Sequence, residues 1–218
     1  TQQGMAYHIY CQPGDGKGQI QDLVCKVAQD LYSREYYNFL DKYPVAGFMT
    51  EFGAIGQSAG ELNHLDRLLS YADGRFQSWA YWQLKLFKDF TTANADEPFY
   101  DRQGQLEVDK VRALSRTYAR AIAGVPVSMS FEPGTGSFEL VFRASASIHA
   151  PTEVYLNREF NYPKGFSVTV FPQHCLDVQT GTNLVHIFLT ADRDASCLEQ
   201  EVRVRIDAVQ PPPSELIV

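Results

Sequence analysis

Three short runs of this 218-residue chain carry side chains able to work on a polar substrate. The first, Tyr7-His8-Ile9-Tyr10, sets an imidazole and a phenol two residues apart, so that on a strand both point to one face. The second, Phe48-Met49-Thr50-Glu51-Phe52-Gly53-Ala54, closes an apolar stretch with a carboxylate followed by small residues. Such a carboxylate needs partners, because an unpaired buried charge is costly. The third, Trp79-Ala80-Tyr81-Trp82-Gln83, puts Trp79 and Tyr81 on one face and Trp82 on the other. A carboxylate can attack or stabilise an oxocarbenium-like carbon. A phenol bonded to it keeps it ionised, and an indole offers a flat apolar face to a pyranose ring. That is a sugar-handling set. Taken singly, the imidazole, the phenol and Trp82 read more readily as packing and the carboxylate reads either way, and it is their order along the chain that carries the inference.

The elements that must hold these runs alternate. Met5–Cys11 reads as a strand. Ile20, Leu23, Val24, Val27 and Leu31 recur at helical spacing and predict an amphipathic helix with that stripe buried. Val45–Phe52 reads as a buried parallel strand. A helix with Leu62, Leu65, Leu68 and Leu69 on one side comes next, then the aromatic strand Phe76–Leu84. An irregular stretch with Pro98 leads to a predicted helix, Glu107–Ala123, burying Val111, Leu114, Tyr118 and Ile122. This order is the pattern of parallel βα units. In a (β/α)8 barrel the C-terminal ends of the strands form the active site, and the three chemical runs all sit at such ends. After Gly124-Val125-Pro126 the helical period stops. Val127–Phe131, Phe138–Phe142, Thr152–Leu156, Phe166–Phe171, Leu184–Leu189 and Val202–Ile206 are short strand-like runs between turn residues, which predicts a β-sandwich. The fold expected is α/β plus all-β: residues 1–124 as the C-terminal portion of a (β/α)8 barrel, and 125–218 as a β-sandwich with a Pro211-Pro212-Pro213 tail.

Composition narrows the partners. With 44 % hydrophobic residues, 14 Phe and 12 Tyr, the chain is no solvating tail. A net charge of −7 gives no basic excess to neutralise phosphates, so no nucleic-acid partner is expected. The apolar runs are strand-sized, too short to span a bilayer. Four cysteines allow three pairings. Locality favours Cys11–Cys25 and Cys175–Cys197, each worth roughly 3 kcal/mol in the chain-entropy model, and points to an oxidising, secreted or lysosomal route. Four free thiols in a cytosolic protein are the other reading. Nothing has the spacing of a zinc site. The chain opens on Thr1 without a leader pattern, so it is expected to begin downstream of its gene's signal.

The ordered set, His-x-Tyr on one strand, Glu51 ending the next and Trp82 on the third, resembles the last three strands of a family 5 glycoside hydrolase in the clan of retaining (β/α)8 glycosidases. Within that family, Tyr7-His8-Ile9-Tyr10-Cys11, the Phe48–Ala54 run, Trp79-Ala80-Tyr81-Trp82-Gln83 and Ser115-Arg116-Thr117-Tyr118-Ala119-Arg120-Ala121-Ile122-Ala123-Gly124 look most like endoglycoceramidases. These cleave the bond between an oligosaccharide and ceramide in glycosphingolipids. The resemblance implies that Glu51 is the nucleophile, that Tyr10 orients it, that His8 bonds around the sugar or the acid/base, and that Trp82 floors the −1 subsite. Trp79, Lys85 and Phe87 become candidate substrate contacts, with Leu86, Phe87 and Phe90 near a ceramide channel. It implies no metal and no organic cofactor, and contact with a lipid surface. In this family the acid/base follows an Asn on the fourth strand, and no Asn-Glu pair occurs here. The chain is therefore expected to be the C-terminal part of a longer protein, inactive alone and completed by an N-terminal half carrying the acid/base. A β-glucosidase or glucosylceramidase on the same machinery, and a non-catalytic structural or carbohydrate-binding relative, are the competing functions.

Overall fold

The computed structural model describes residues 3–10, 19–43, 45–85, 97–190, 197 and 200–209. They form two compact units, Thr1–Ala72 with Phe76–Leu114, and Asp73–Arg75 with Ser115–Val218.

In the first unit β1 (Gly4–Ile9), β2 (Ala46–Gly53) and β3 (Ser78–Trp82) make a parallel sheet in that order. The long crossovers that parallel pairing demands are α1 (Gln19–Lys42) and α2 (Ala59–Gly74), and α3 (Val108–Leu114) follows β3. This is the predicted alternation. Tyr7, Ile9, Met49 and Phe52 of the sheet pack with Tyr37 of α1 and Leu65, Leu68, Leu69 and Ala72 of α2. Phe52 and Leu69 are wholly buried; each such side chain stabilises by about 1.5–3 kcal/mol. The start of α2 is fixed by a capping box: Ser58 N donates to Glu61 Oε2 at 3.1 Å and Glu61 N donates to Ser58 Oγ at 3.4 Å.

Strand β2 breaks the two-residue alternation. Met49 and Phe52 both enter the core although three residues apart, and the pairing with β1 jumps from Tyr7–Met49 to His8–Glu51. Thr50 is thus the extra residue of a β-bulge, and its hydroxyl donates to the Tyr7 carbonyl at 3.5 Å. In a regular strand Glu51 would share the face of Met49 and be buried under the helices. The bulge turns it to the other face.

The predicted stripe of α1 is a correction. Leu23, Val24, Val27 and Leu31 are each about half exposed or more, and the buried line is Cys25, Gln29, Ser33 and Tyr37. At 3.6 residues per turn the two lines lie on opposite sides of the helix, and the sheet takes the smaller, more polar one. Among the described residues no helix is long and apolar enough to cross a membrane.

The second unit contains β4 (Tyr118–Ala121), β5 (Gly124–Glu132), β6 (Ser137–Ala144), β7 (Thr152–Tyr155), a one-turn α4 (Arg158–Asn161), β8 (Phe166–Phe171), β9 (Leu176–Thr180), β10 (Leu184–Leu189) and β11 (Glu201–Ala208). They form two four-stranded sheets, β4-β7-β10-β9 and β5-β6-β11-β8, with antiparallel pairing throughout. Phe138, Leu140, Phe142, Val202, Val204 and Ile206 of one sheet, and Val154, Val185 and Ile187 of the other, are buried. This is the inward alternation of the expected sandwich. Two of its strands, β4 and β9, were not legible. The helix predicted over Glu107–Ala123 stops at Leu114, because Tyr118–Ala121 pairs with β7 instead, and the second unit begins at Ser115, ahead of the expected Gly124. Within this unit Arg116 is buried: its Nε meets Asp73 Oδ2 at 2.7 Å, its Nη2 donates to the Phe131 carbonyl at 3.0 Å, and its guanidinium lies over the Phe131 ring. Cys175 and Cys197 form the expected disulfide. Cys25 is disulfide-bonded and buried, while Cys11 and Pro211–Pro213 lie outside the described residues.

Candidate active site

The first two strands carry the acid and its neighbours. Tyr7 and Ile9 of β1 face the helices, so His8 and Tyr10 face the other way. The bulge in β2 turns Glu51 to that same side. There Tyr10 Oη donates to Glu51 Oε2 at 3.1 Å, and His8 Nδ1 stands 3.4 Å from the same oxygen. The Glu51 side chain is 36 % exposed and that of His8 50 %, so an incoming group can reach the carboxylate. Burial first, then the bond to Glu51, then the charges of Glu51 and Glu97, push the pKa of the Tyr10 phenol far above the usual tyrosine range. Tyr10 therefore remains a neutral donor at every working pH. The three residues form a carboxylate held by a fixed phenol, beside an imidazole.

The third strand adds the aromatic groups. Trp82 pairs with Gly53, two residues beyond Glu51, and lies on the face opposite Tyr81. The turn after Glu51 needs glycine: Gly53 has φ +122°, and a Cβ there would sit 2.5 Å from the Tyr81 ring and 2.6 Å from the Trp82 carbonyl. Ala54, itself at φ 54°, donates its N–H to the Trp82 carbonyl at 3.1 Å. Trp79 is placed differently from the expectation. It shares the helix-side face with Tyr81 and packs edge-on to Phe52, ring centres 5.5 Å apart, so it belongs to the core packing and not to the surroundings of Glu51. Lys85 is exposed beyond the strand end. Phe87, with Leu86 and Phe90, lies outside the described residues.

Two buried polar residues at this strand end were missed from sequence. Gln83 and Glu97 are 5 % and 2 % exposed, and Gln83 Nε2 donates to Glu97 Oε2 at 3.1 Å. The one available signal was a glutamine directly after Trp82; nothing in the irregular stretch marked Glu97. In the second unit the side chains of His174, Cys175 and Cys197 come within 4.8 Å of one another. The two sulfurs are joined as a disulfide, so they offer no thiolate pair to a metal.

Residues 116–206 match the glycoside hydrolase family 5 C-terminal domain, which accounts for the sandwich. Among curated proteins the chain is 32 % identical over 170 residues to endoglycoceramidase I of Rhodococcus hoagii (strain 103S), covering 76 % of this chain and 30 % of that protein. It is 30 % identical over 138 residues to the endoglycoceramidase of Cyanea nozakii, covering 62 % and 27 %. Among solved structures, endo-glycoceramidase II from Rhodococcus sp. in complex with ganglioside GM3 superposes with a TM-score of 0.70 at 22 % identity, over 94 % of this chain and 42 % of that one. Cryptococcus neoformans sterylglucosidase 1 superposes with a TM-score of 0.65 at 12 % identity, over 85 % and 32 %.

The match over the sandwich identifies that part of the chain as a C-terminal domain of the glycoside hydrolase family 5 type. More closely, the chain is endoglycoceramidase-like, and it spans less than a third of the length of the curated relatives it matches.

Proposed function

We propose that this chain is the nucleophile-bearing part of a retaining glycoside hydrolase that releases ceramide from glycosphingolipids. The observation that carries the reading is Glu51 at the end of β2, accepting from Tyr10 at 3.1 Å with His8 Nδ1 3.4 Å away. Its similarity to endoglycoceramidases supports the substrate class. The three parallel strands are read as the last three of a (β/α)8 barrel, with upstream sequence supplying the rest. In favour, α1 and α2 pack on one face of the sheet and leave the face of His8 and Glu51 to other chain.

The reaction runs in two steps. A Glu51 oxygen attacks the anomeric carbon; the bond from that carbon to the ceramide oxygen breaks, and a carboxylic acid on the upstream part gives its proton to the departing oxygen. The same group, now a carboxylate, takes a proton from water, whose oxygen attacks the anomeric carbon and releases Glu51. The two carboxyl groups must stand roughly 5–5.5 Å apart. Tyr10 holds Glu51 in line and bonds the charge that returns to it in the second step. His8 bonds to the reducing-end sugar, and Trp82 lies beneath it. Burial of the Cys175–Cys197 disulfide favours an oxidising destination, secreted or lysosomal. The amphiphilic substrate brings the protein to lipid surfaces.

The likeness of fold to a sterylglucosidase favours testing a second reading, the same machinery with a different aglycone. The full-length protein, with an activated 2-fluoro-glycoside, should gain the sugar's mass on the peptide containing Glu51, and Glu51→Gln should lower turnover by about 10³-fold or more. Mass on another carboxylate would refute the assignment. Comparing lactosylceramide, glucosylceramide and a steryl glucoside decides between the two readings.

A further inference from the structure

We infer that Glu97 is a positioning residue for the sugar platform: it ties down Tyr81 and Gln83, the two neighbours of Trp82, and so sets the attitude of the indole. The inference rests on the reading of Trp82 as the floor of the subsite. Three bonds converge on Glu97. Its carbonyl accepts from the Tyr81 hydroxyl at 3.0 Å and from the Gln83 N–H at 3.3 Å, and its carboxylate accepts from Gln83 Nε2 at 3.1 Å. From the opposite side Ala54 N donates to the Trp82 carbonyl, so the backbone around Trp82 is held from two directions.

The support behind Glu97 is equally fixed. Phe99 N donates to the Leu84 carbonyl at 3.1 Å, and the Phe99 and Tyr81 rings stack at 4.9 Å. Lys110, with no exposed surface, donates from Nζ to the Pro98 carbonyl at 2.8 Å and pairs with Glu107. Burying Glu97 and Lys110 costs several kcal/mol of lost hydration per ion, and apolar residues of similar size would stabilise such a loop as well or better. What charged groups add is direction. Hydrogen bonds fix position to fractions of an ångström, as a binding surface requires. The negative charge of Glu97 also reaches the site, because it is one of the causes that hold the Tyr10 phenol protonated.

The test uses the full-length enzyme, fluorescent lactosylceramide, and four variants followed by KM, kcat and Tm. Tyr81→Phe removes a hydroxyl, and Glu97→Leu removes the carboxylate that accepts from Gln83. Each should raise KM roughly 5–10-fold, the worth of one hydrogen bond, with kcat changed less than about twofold. Glu97→Gln keeps a side-chain oxygen for Gln83 and should stay near the parent in KM. Trp82→Ala should raise KM at least as much as either single cut. If Trp82→Ala raises KM while Tyr81→Phe and Glu97→Leu lower only Tm, Glu97 is structural and the inference falls. If Trp82→Ala leaves KM unchanged, the subsite reading fails and takes the inference with it. Should Glu97→Leu not fold, Tyr81→Phe alone decides.

Discussion

Replacing Tyr10 by Phe removes one oxygen, and the structure says where the loss must appear. The phenol donates to Glu51 at 3.1 Å and stays protonated, so the bond is present whenever Glu51 is ionised. A hydrogen bond to a charged group contributes about 1.5–3 kcal/mol. Glu51 is 36 % exposed and has His8 as a second neighbour, which places the loss at the lower end, about 1.5–2 kcal/mol, or roughly 10–30-fold in rate. The two chemical steps feel it unequally. When Glu51 attacks, its charge is being consumed and the bond weakens; when Glu51 departs, the charge returns and the bond strengthens. Tyr10→Phe should therefore slow breakdown of the glycosyl-enzyme more than its formation. With a substrate bearing a good leaving group, stopped-flow traces should show a burst of released aglycone followed by a steady state roughly 10–30-fold slower than the parent's. A variant with no burst and a steady state within twofold of the parent would refute both the contact and the roles drawn from it.

Two further outcomes concern the second unit. Asp73→Ala strands the buried Arg116 guanidinium and should cost about 3–5 kcal/mol, lowering Tm by roughly 6–20 °C. The double variant Asp73→Ala/Arg116→Met should recover part of that, and a shift below about 2 °C in the single variant would show that the pair is not a buried charge. Burial pushes the Tyr162 phenol up to about 12, with its bond to Thr117 as a smaller, opposing cause. Since the folded state holds this proton more tightly, its contribution is complete below pH 10 and is lost as pH rises towards about 12. Urea midpoints measured over that range should fall less steeply in Tyr162→Phe, and an identical slope would remove Tyr162 as the cause.

How much could be read in advance differs between elements. The parallel βα alternation was legible because Val45–Phe52 and the Leu65/Leu68/Leu69 stripe carry plain, opposed periods. The trio His8, Tyr10 and Glu51 was legible because residue types and strand ends coincided. In α1 the period was right and the face wrong, since periodicity locates an apolar line without saying which side the sheet will take. Cys25, Gln29, Ser33 and Tyr37 look too polar to be the buried line, yet Cys25 is held in a disulfide and Tyr37 joins the core with Tyr7 and Ile9. The helix over Glu107–Ala123 failed for another reason: Val111, Leu114, Tyr118 and Ile122 fit a helical spacing, but Tyr118 and Ala119 find partners in Tyr155 and Val154, more than 30 residues on. Trp79 and Trp82 differ by face, which alternation gave, but which face met the helices had to come from the packing. Glu97 had no local signature, because its partners Tyr81 and Gln83 lie 16 and 14 residues back along the chain.

The bulge at Thr50 makes the pairing register of β2 a heritable constraint of its own. Many substitutions among Ala46–Phe48 would leave the carboxylate where it stands. Were Thr50 instead drawn into the ladder as an ordinary paired residue, everything after it would rotate by half a turn, sending Glu51 beneath the helices and Phe52 into the open.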